Sequence, residues 1–263
     1  DDAIRGEFRE SLYDESRLSA LETRMAHYLS ASAVSAKNLA EEKDAIKTLI
    51  GDISHQTKTP IANLLLYAQL LEEQDLPPES REYASALEHQ AEKLRFLIDA
   101  LVKTSRLESG VLAMTPKRHG IQQLLDAASA QAAPGAEAKA ITLSVEPTDL
   151  TARFDPKWTA EALYNLVDNA VKYTPAGGLV TVNVKNYELF SSIQVADTGP
   201  GIPETDQAKI FGRFYRAPDN YHAEGVGIGL YLTRQIVEKQ GGYVKVQSTL
   251  GKGSVFSLFL PRP

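Results

Sequence analysis

Asn165, Asn169, Lys172 and Tyr173 recur at offsets of four, seven and eight, so a helix that carries them presents all four along one stripe. Asparagine is a mediocre interior helix residue, and two of them one turn apart beside a lysine point to a polar ligand. An amide oxygen is a hard donor suited to Mg²⁺, which takes one or two protein ligands together with phosphate oxygens and water. Lysine supplies a point charge for phosphate. A solvated helix face would show the same stripe, so the other motifs have to decide. Downstream, Asp197-Thr198-Gly199-Pro200-Gly201-Ile202 puts a carboxylate ahead of Gly-Pro-Gly, a turn that lets a ligand approach the backbone. An acceptor-only carboxylate receives a hydrogen bond from the amino group of adenine and repels the carbonyl of guanine, which favours ATP over GTP. An ordinary β-turn also uses Asp and Gly. Gly225-Val226-Gly227-Ile228-Gly229-Leu230 then opens a helix, offering free amides and a positive dipole end to phosphate. It lacks the Rossmann spacing, no Walker A sequence occurs, and protein-kinase catalytic-loop motifs are absent.

These groups need elements to hold them. Asp155-Pro156 caps a helix expected over 157–172, which carries the Asn stripe on one side and Leu163, Leu166, Val167 and Ala170 on the other. A second helix is expected over 230–239, ahead of the stop Gly241-Gly242. Strands are expected over 141–145, 180–185, 193–196, 243–248 and 254–260. Asp197 therefore ends a strand, and Gly251-Lys252-Gly253-Ser254 turns between the last two, as a plain hairpin would also do. The Ala-rich stretch 127–140 reads as a helix end and loop. Together these make an α+β sheet covered by helices.

The first 110 residues read differently. Leu18, Leu21, Met25, Tyr28, Ser32, Ser35, Leu39, Glu42, Ile46, Leu49 and Ile53 step by threes and fours, a two-stranded seam weakened at Ser32, Ser35 and Glu42. A second helix is expected over 79–108, after Pro77-Pro78 and ahead of Gly110. Its face comprises Tyr83, Leu87, Gln90, Leu94, Leu97, Leu101 and Thr104, widened by Phe96 and Ile98. Two helices leave one apolar face open, so the hairpin predicts a homodimer closed as a four-helix bundle.

Composition sets the outer limits. A chain of 263 residues, 43% hydrophobic and 24% charged, can build packed cores in two or more units. A formal charge of −6 argues against a nucleic-acid partner. With no cysteine, disulfides, thiolate zinc sites and cysteine nucleophiles are excluded. No apolar run reaches the length of a bilayer span, and the fragment is expected to be soluble.

The order of these motifs resembles the GHKL ATPase fold, specifically the catalytic domain of sensor histidine kinases of two-component systems. Residues 165–174 are similar to that family's N box, 197–202 to its first glycine box, 211–216 to its F box, 225–230 to its second glycine box and 251–254 to its third. The resemblance implies Asn169 as the Mg²⁺ ligand, Asn165 and Lys172 toward phosphate, and Tyr173 beside the nucleotide. It implies Asp197 on the adenine amine, Arg216 available to the terminal phosphate, and 217–224 as a lid over ATP. Gly199, Gly201, Gly225, Gly227, Gly229, Leu230 and Ser254 complete the implied ATP-binding set.

Within the first helix, Ile53-Ser54-His55-Gln56-Thr57-Lys58-Thr59-Pro60-Ile61 resembles the same family's H box, which implies His55 as the phosphorylated residue. A neutral imidazole has one nitrogen free to attack the γ-phosphorus. Pro60 cannot donate to the carbonyl of Gln56, so a kink is expected just beyond His55. The family usually has Glu or Asp directly after the histidine, and this chain has Gln56. Its amide oxygen can accept a hydrogen bond from the distal ring N–H but cannot take the proton as a base would. Thr59, one turn on, matches the position that steers water in dephosphorylating the partner. His27, His89, His119 and His222 have no comparable surroundings and read as surface or packing residues.

The expected fold class is thus multidomain, α and α+β: a long signalling helix over 1–45, a dimeric phosphotransfer hairpin over 46–115 and a GHKL α/β sandwich over 116–263. The expected activity is autophosphorylation of His55 from Mg-ATP and relay to an aspartate of a response regulator receiver domain. The expected location is the cytoplasmic face of the cell membrane, reached through an N-terminal sensor and transmembrane part that this sequence does not contain. Two rivals remain: a GHKL ATPase of another class, and a degenerate kinase acting as a dimeric scaffold or chiefly as a phosphatase.

Overall fold

The computed structural model describes residues 17–108, 114–216 and 226–263. The expected lid at 217–224, Gly225, His222 and the stop at Gly110 lie outside the described residues. The chain divides after Pro60 into two units. Helix α1 spans Arg17–Glu72, with Pro60 inside it. Up to Pro60 it makes the first unit, where Leu21, Met25, Tyr28, Leu39, Ile46, Leu49 and Ile53 of the expected seam are all exposed.

The second unit opens with the remainder of α1 and with α2 (Pro78–Glu108), where Ile61 and Leu65 pack against Ala91 and Ile98. The end of α2 belongs to a different core. Leu107 is fully buried in the cluster that also holds Leu163, Ile193 and Ile236.

After α2 come β1 (Lys117–Gly120), α3 (Ile121–Ala138), β2 (Thr142–Val145), β3 (Thr151–Phe154), α4 (Pro156–Tyr173), β4 (Leu179–Asn186), β5 (Phe190–Asp197), α5 (Glu204–Gln207), α6 (Gly229–Glu238), β6 (Tyr243–Thr249) and β7 (Gly253–Pro261). The five-stranded sheet runs β2-β4-β5-β7-β6, with β2 and β4 parallel and every other neighbour antiparallel. Alternation along the strands sends Val180, Val182, Ile193, Val195, Phe256, Leu258 and Leu260 into the core with α3, α4 and α6. Each fully buried side chain of this kind contributes about 1.5–3 kcal/mol, which makes this layer the chief support of the unit.

All five expected strands and both expected helices are present. The Ala-rich stretch is a correction: 127–138 is the body of α3, with Ala128, Ala132 and Ala136 buried at helical spacing. Small side chains let α3 lie close to α4, and Pro134 sits inside the helix without ending it. The two-stranded sheet β1-β3 was not expected, because each strand has four residues and alternates too briefly to register. His27 and His89 are exposed, and His119 rests half-buried on the Phe154 ring, as surface and packing residues should. Among the described residues no helix is long and apolar enough to cross a membrane.

Candidate nucleotide site

Helix α4 is set by its cap. Asp155 Oδ1 accepts from the amides of Lys157 (3.1 Å) and Trp158 (3.4 Å), Pro156 fills the first turn, and Asp155 Oδ2 accepts from the Thr115 amide at 3.1 Å. Its other end is held by Lys139, whose Nζ donates to the carbonyls of Val171 (2.9 Å), Lys172 (2.7 Å) and Thr174 (2.7 Å). An ammonium there also complements the negative end of the helix dipole. With Leu163, Leu166, Val167 and Ala170 buried, the opposite stripe of Asn165, Asn169, Lys172 and Tyr173 lines a cavity of about 240 Å³.

The same cavity is lined by Asp197, Gly201, Arg216, Gly227, Gly229, Leu230 and Ser254. The structure thus brings together every expected nucleotide residue it describes except Gly199, which stands just behind. The Gly199 amide donates to Asp197 Oδ1 at 2.8 Å, and the Ser254 amide donates to the same oxygen at 3.3 Å. Burial nevertheless raises the Asp197 carboxyl above its ordinary range, the two amides only partly offsetting it. Gly201, at φ +74°, packs its Cα against the backbone at Thr249 and Leu250, where any Cβ would collide. Gly229 opens α6 with no side-chain cap, and a Cβ there would stand 3.6 Å from Asn165 Oδ1. The start of α6 thereby comes close to the Asn stripe, with its first amides free of a capping side chain.

Asn165 Nδ2 is buried and has no hydrogen-bond partner among the described residues. A buried amide left unpaired is costly and is relieved by a polar ligand. Asn169 stands one turn on with an amide oxygen, the hard donor Mg²⁺ prefers, so the residues present fit a magnesium nucleotide. Two cations share the cavity wall: Lys172 Nζ lies 5.3 Å from the centroid of the Tyr173 ring, and Arg216 lowers the Tyr173 hydroxyl against the larger upward effect of burial. Asp168 is also in the wall; desolvation raises its carboxyl, and Lys172 and the Tyr164 hydroxyl pull it back.

Several wall residues had no role assigned from the sequence. Ile202, Ile210, Tyr215, Ile228, Leu250 and Phe256 give the cavity its apolar lining, and α2 contributes Phe96. Ile202 and Ile228 stand in the two glycine boxes, Tyr215 in the F box, Phe256 in an expected strand and Phe96 in the broadened apolar face of α2, whereas Leu250 lay in no motif. Helix α2 is fastened nearby by Lys103 Nζ on Glu161 at 2.5 Å, and by Glu108, which pairs with Arg213 and accepts from the Tyr231 hydroxyl. His55, Gln56 and Thr59 lie on α1 in the first unit, Gln56 and Thr59 exposed.

The family model described as histidine kinase-, DNA gyrase B-, and HSP90-like ATPase matches residues 154–263, and that of the His Kinase A (phospho-acceptor) domain matches residues 45–110. The sensor protein DivL of Caulobacter vibrioides is 32% identical over 226 residues, 85% of this chain and 29% of DivL. The circadian input-output histidine kinase CikA of Synechococcus elongatus is 31% identical over 238 residues, 87% of this chain and 32% of CikA. Among solved structures, full-length ShkA in complex with AMPPNP superposes with a TM-score of 0.68 at 28% identity, covering 81% of this chain and 45% of ShkA. The chain spans about a third of the length of these two curated relatives.

Proposed function

Because the chain belongs to the sensor histidine kinases, carrying their phospho-acceptor domain ahead of their ATPase domain, we propose that it phosphorylates His55 from Mg-ATP and passes the phosphoryl group to an aspartate of a response regulator receiver domain. The single observation that carries the ATP half is the cavity itself. An unpartnered buried amide (Asn165), two cationic side chains (Lys172 and Arg216) and an uncapped helix start meet a carboxylate whose one oxygen is already held by two amides.

In this reading Asp197 Oδ2 accepts from the adenine amine, and Tyr173 flanks the nucleotide. The segment from Gly227 into the first turn of α6 at Gly229 and Leu230 receives the phosphates with Lys172 and Arg216. Asn169 would hold Mg²⁺, which would supply charge neutralisation at the phosphates. A ring nitrogen of His55 forms the N–P bond while the bond from the γ-phosphorus to the bridging oxygen breaks, and ADP leaves. The proton on the opposite ring nitrogen is lost to solvent, since Gln56 can accept a hydrogen bond from it but cannot remove it. The chain's contribution is positioning and charge neutralisation.

The division into a signalling helix over 1–45, a dimerising phosphotransfer hairpin over 46–115 and a catalytic domain over 116–263 belongs to the same proposal. The homodimer is supported by the exposed apolar rows on α1 and by Tyr83, Leu87, Leu94 and Leu101 of α2, which one chain leaves in water. A membrane-side location would come from a sensor part outside this sequence. Incubation with γ-labelled ATP tests the reading: label that is acid-labile, alkali-stable and absent in His55→Gln is expected. Free phosphate without labelled protein would make the chain an ATPase of another class, and no turnover would make it a scaffold.

A further inference from the structure

Strands β5, β7 and β6 lie side by side, and their register sets Asp197 beside Ser254 and Ser254 beside Ser248. Asp197 and Ser254 line both the nucleotide cavity and a neighbouring hollow, whereas Ser248 lines the hollow and not the cavity. Ser248 Oγ has three neighbours: the Ile202 amide at 2.7 Å, the Gly253 carbonyl at 2.9 Å and Ser254 Oγ at 2.9 Å. A hydroxyl holds one proton and two lone pairs. The Ile202 amide can only donate, so it occupies one lone pair. The Gly253 carbonyl can only accept, so it takes the proton. One lone pair remains for Ser254, which must therefore be the donor in that contact.

The consequence falls on the cavity wall. The Ser254 proton is spent on Ser248, and Ser254 has lone pairs but no proton left for a ligand. Asp197 already offers acceptors alone, with Oδ1 taken by the amides of Gly199 and Ser254. Gln207 Nε2 fixes the backbone that carries this relay, donating to the carbonyls of Ile202 at 3.1 Å and Ser248 at 3.0 Å.

We infer that Ser248, which lies outside the cavity, is a positioning residue for base specificity. By fixing the direction of the Ser254 hydroxyl it keeps this wall acceptor-only, selecting a purine with an amino group at its six-position over one with a carbonyl there. The inference rests on the cavity's being an adenine-nucleotide site and adds to that reading the hydroxyl relay that sets the polarity of its wall.

The test is calorimetric titration of the 263-residue chain with ADP and with IDP, which carry an amino group and a carbonyl at the six-position, IDP also bearing a proton on N1, and which cannot be turned over. The wild type is expected to prefer ADP by about tenfold, the scale of one mismatched polar contact. Ser248→Ala frees the Ser254 hydroxyl to rotate and donate to the carbonyl of IDP, so the ADP:IDP ratio shrinks severalfold, while Ser248→Thr, which keeps the hydroxyl, preserves it. Ser254→Ala, which loses one side-chain contact and so serves if Ser248→Ala does not fold, also narrows the ratio: ADP loses an acceptor and IDP loses a repulsion. An unchanged ratio in Ser248→Ala, with both affinities falling together, would reduce Ser248 to a structural residue and overturn the inference. A ratio that widens in Ser254→Ala would show Ser254 donating to the base and overturn it as well. Failure of the wild type to bind ADP would instead defeat the underlying reading of the cavity.

Discussion

Replacing Asp197 with asparagine separates its two jobs. Oδ1 accepts the amides of Gly199 and Ser254 at 2.8 and 3.3 Å, and the other oxygen is left for a base. In Asp197→Asn those two amides hold the amide oxygen inward, because turning it outward would set an NH₂ group against two N–H donors. The NH₂ group then faces the cavity and meets the adenine amine donor to donor. A hydrogen bond to a charged group contributes about 1.5–3 kcal/mol. At about 1.4 kcal/mol per factor of ten, the loss in ADP affinity is roughly ten- to a hundredfold. Stability should not fall, since both backbone amides keep an acceptor and the cost of the buried charge is removed. Asp197→Ala should lose the same affinity and also destabilise the fold, leaving two amides unpaired at about 1–3 kcal/mol each. Calorimetry gives the affinities and denaturant titration the stabilities. ADP affinity within threefold of wild type in Asp197→Asn would refute the acceptor argument, and equal destabilisation by Asn and Ala would refute the assignment of the inner oxygen.

Burial raises the Asp197 carboxyl, and protonation removes the acceptor. ADP affinity should therefore fall with decreasing pH from a point above the range of an ordinary aspartate, and titrations across pH should find that limb flattened in Asp197→Asn. Folding stability has the opposite sign for this group: the native state holds the proton more tightly than the unfolded chain, so its ionisation costs stability above the raised value, and the cost disappears below the unfolded one. Leu107→Ala should cost about 2–5 kcal/mol by denaturant titration, because a fully buried leucine of α2 sits in the core of the ATPase layer; a loss under about 1 kcal/mol would separate α2 from that core. Gln56→Glu supplies a base for the ring proton and should raise the initial autophosphorylation rate, whereas a slower Glu variant would contradict the role given to Gln56.

The sequence was most legible where local rules suffice. Asp155-Pro156 announces the start of α4, Gly241-Gly242 follows the end of α6, and alternation of apolar residues marks the five strands of the main sheet. The offsets among Asn165, Asn169, Lys172 and Tyr173 carry through to one cavity wall because helix geometry fixes them. What stayed hidden depends on tertiary packing. Four-residue strands such as β1 and β3 have too few alternations to stand out, and alanine at helical spacing in α3 reads as featureless until a neighbouring helix needs small side chains. The hydroxyl relay from Ile202 through Ser248 to Ser254 joins residues far apart in sequence and exists only through the register of β6 on β7.

Transfer of the phosphoryl group from the bound nucleotide to His55 is tested by finding where that group ends up. After incubation with Mg-ATP, fragmentation mass spectrometry at alkaline pH on the peptide spanning α1 should find the phosphoryl group on the His55 ring and none in Asn169→Ala. Phosphate on the neighbouring hydroxyls of Ser54, Thr57 or Thr59, or on no residue while ADP accumulates, would contradict the account.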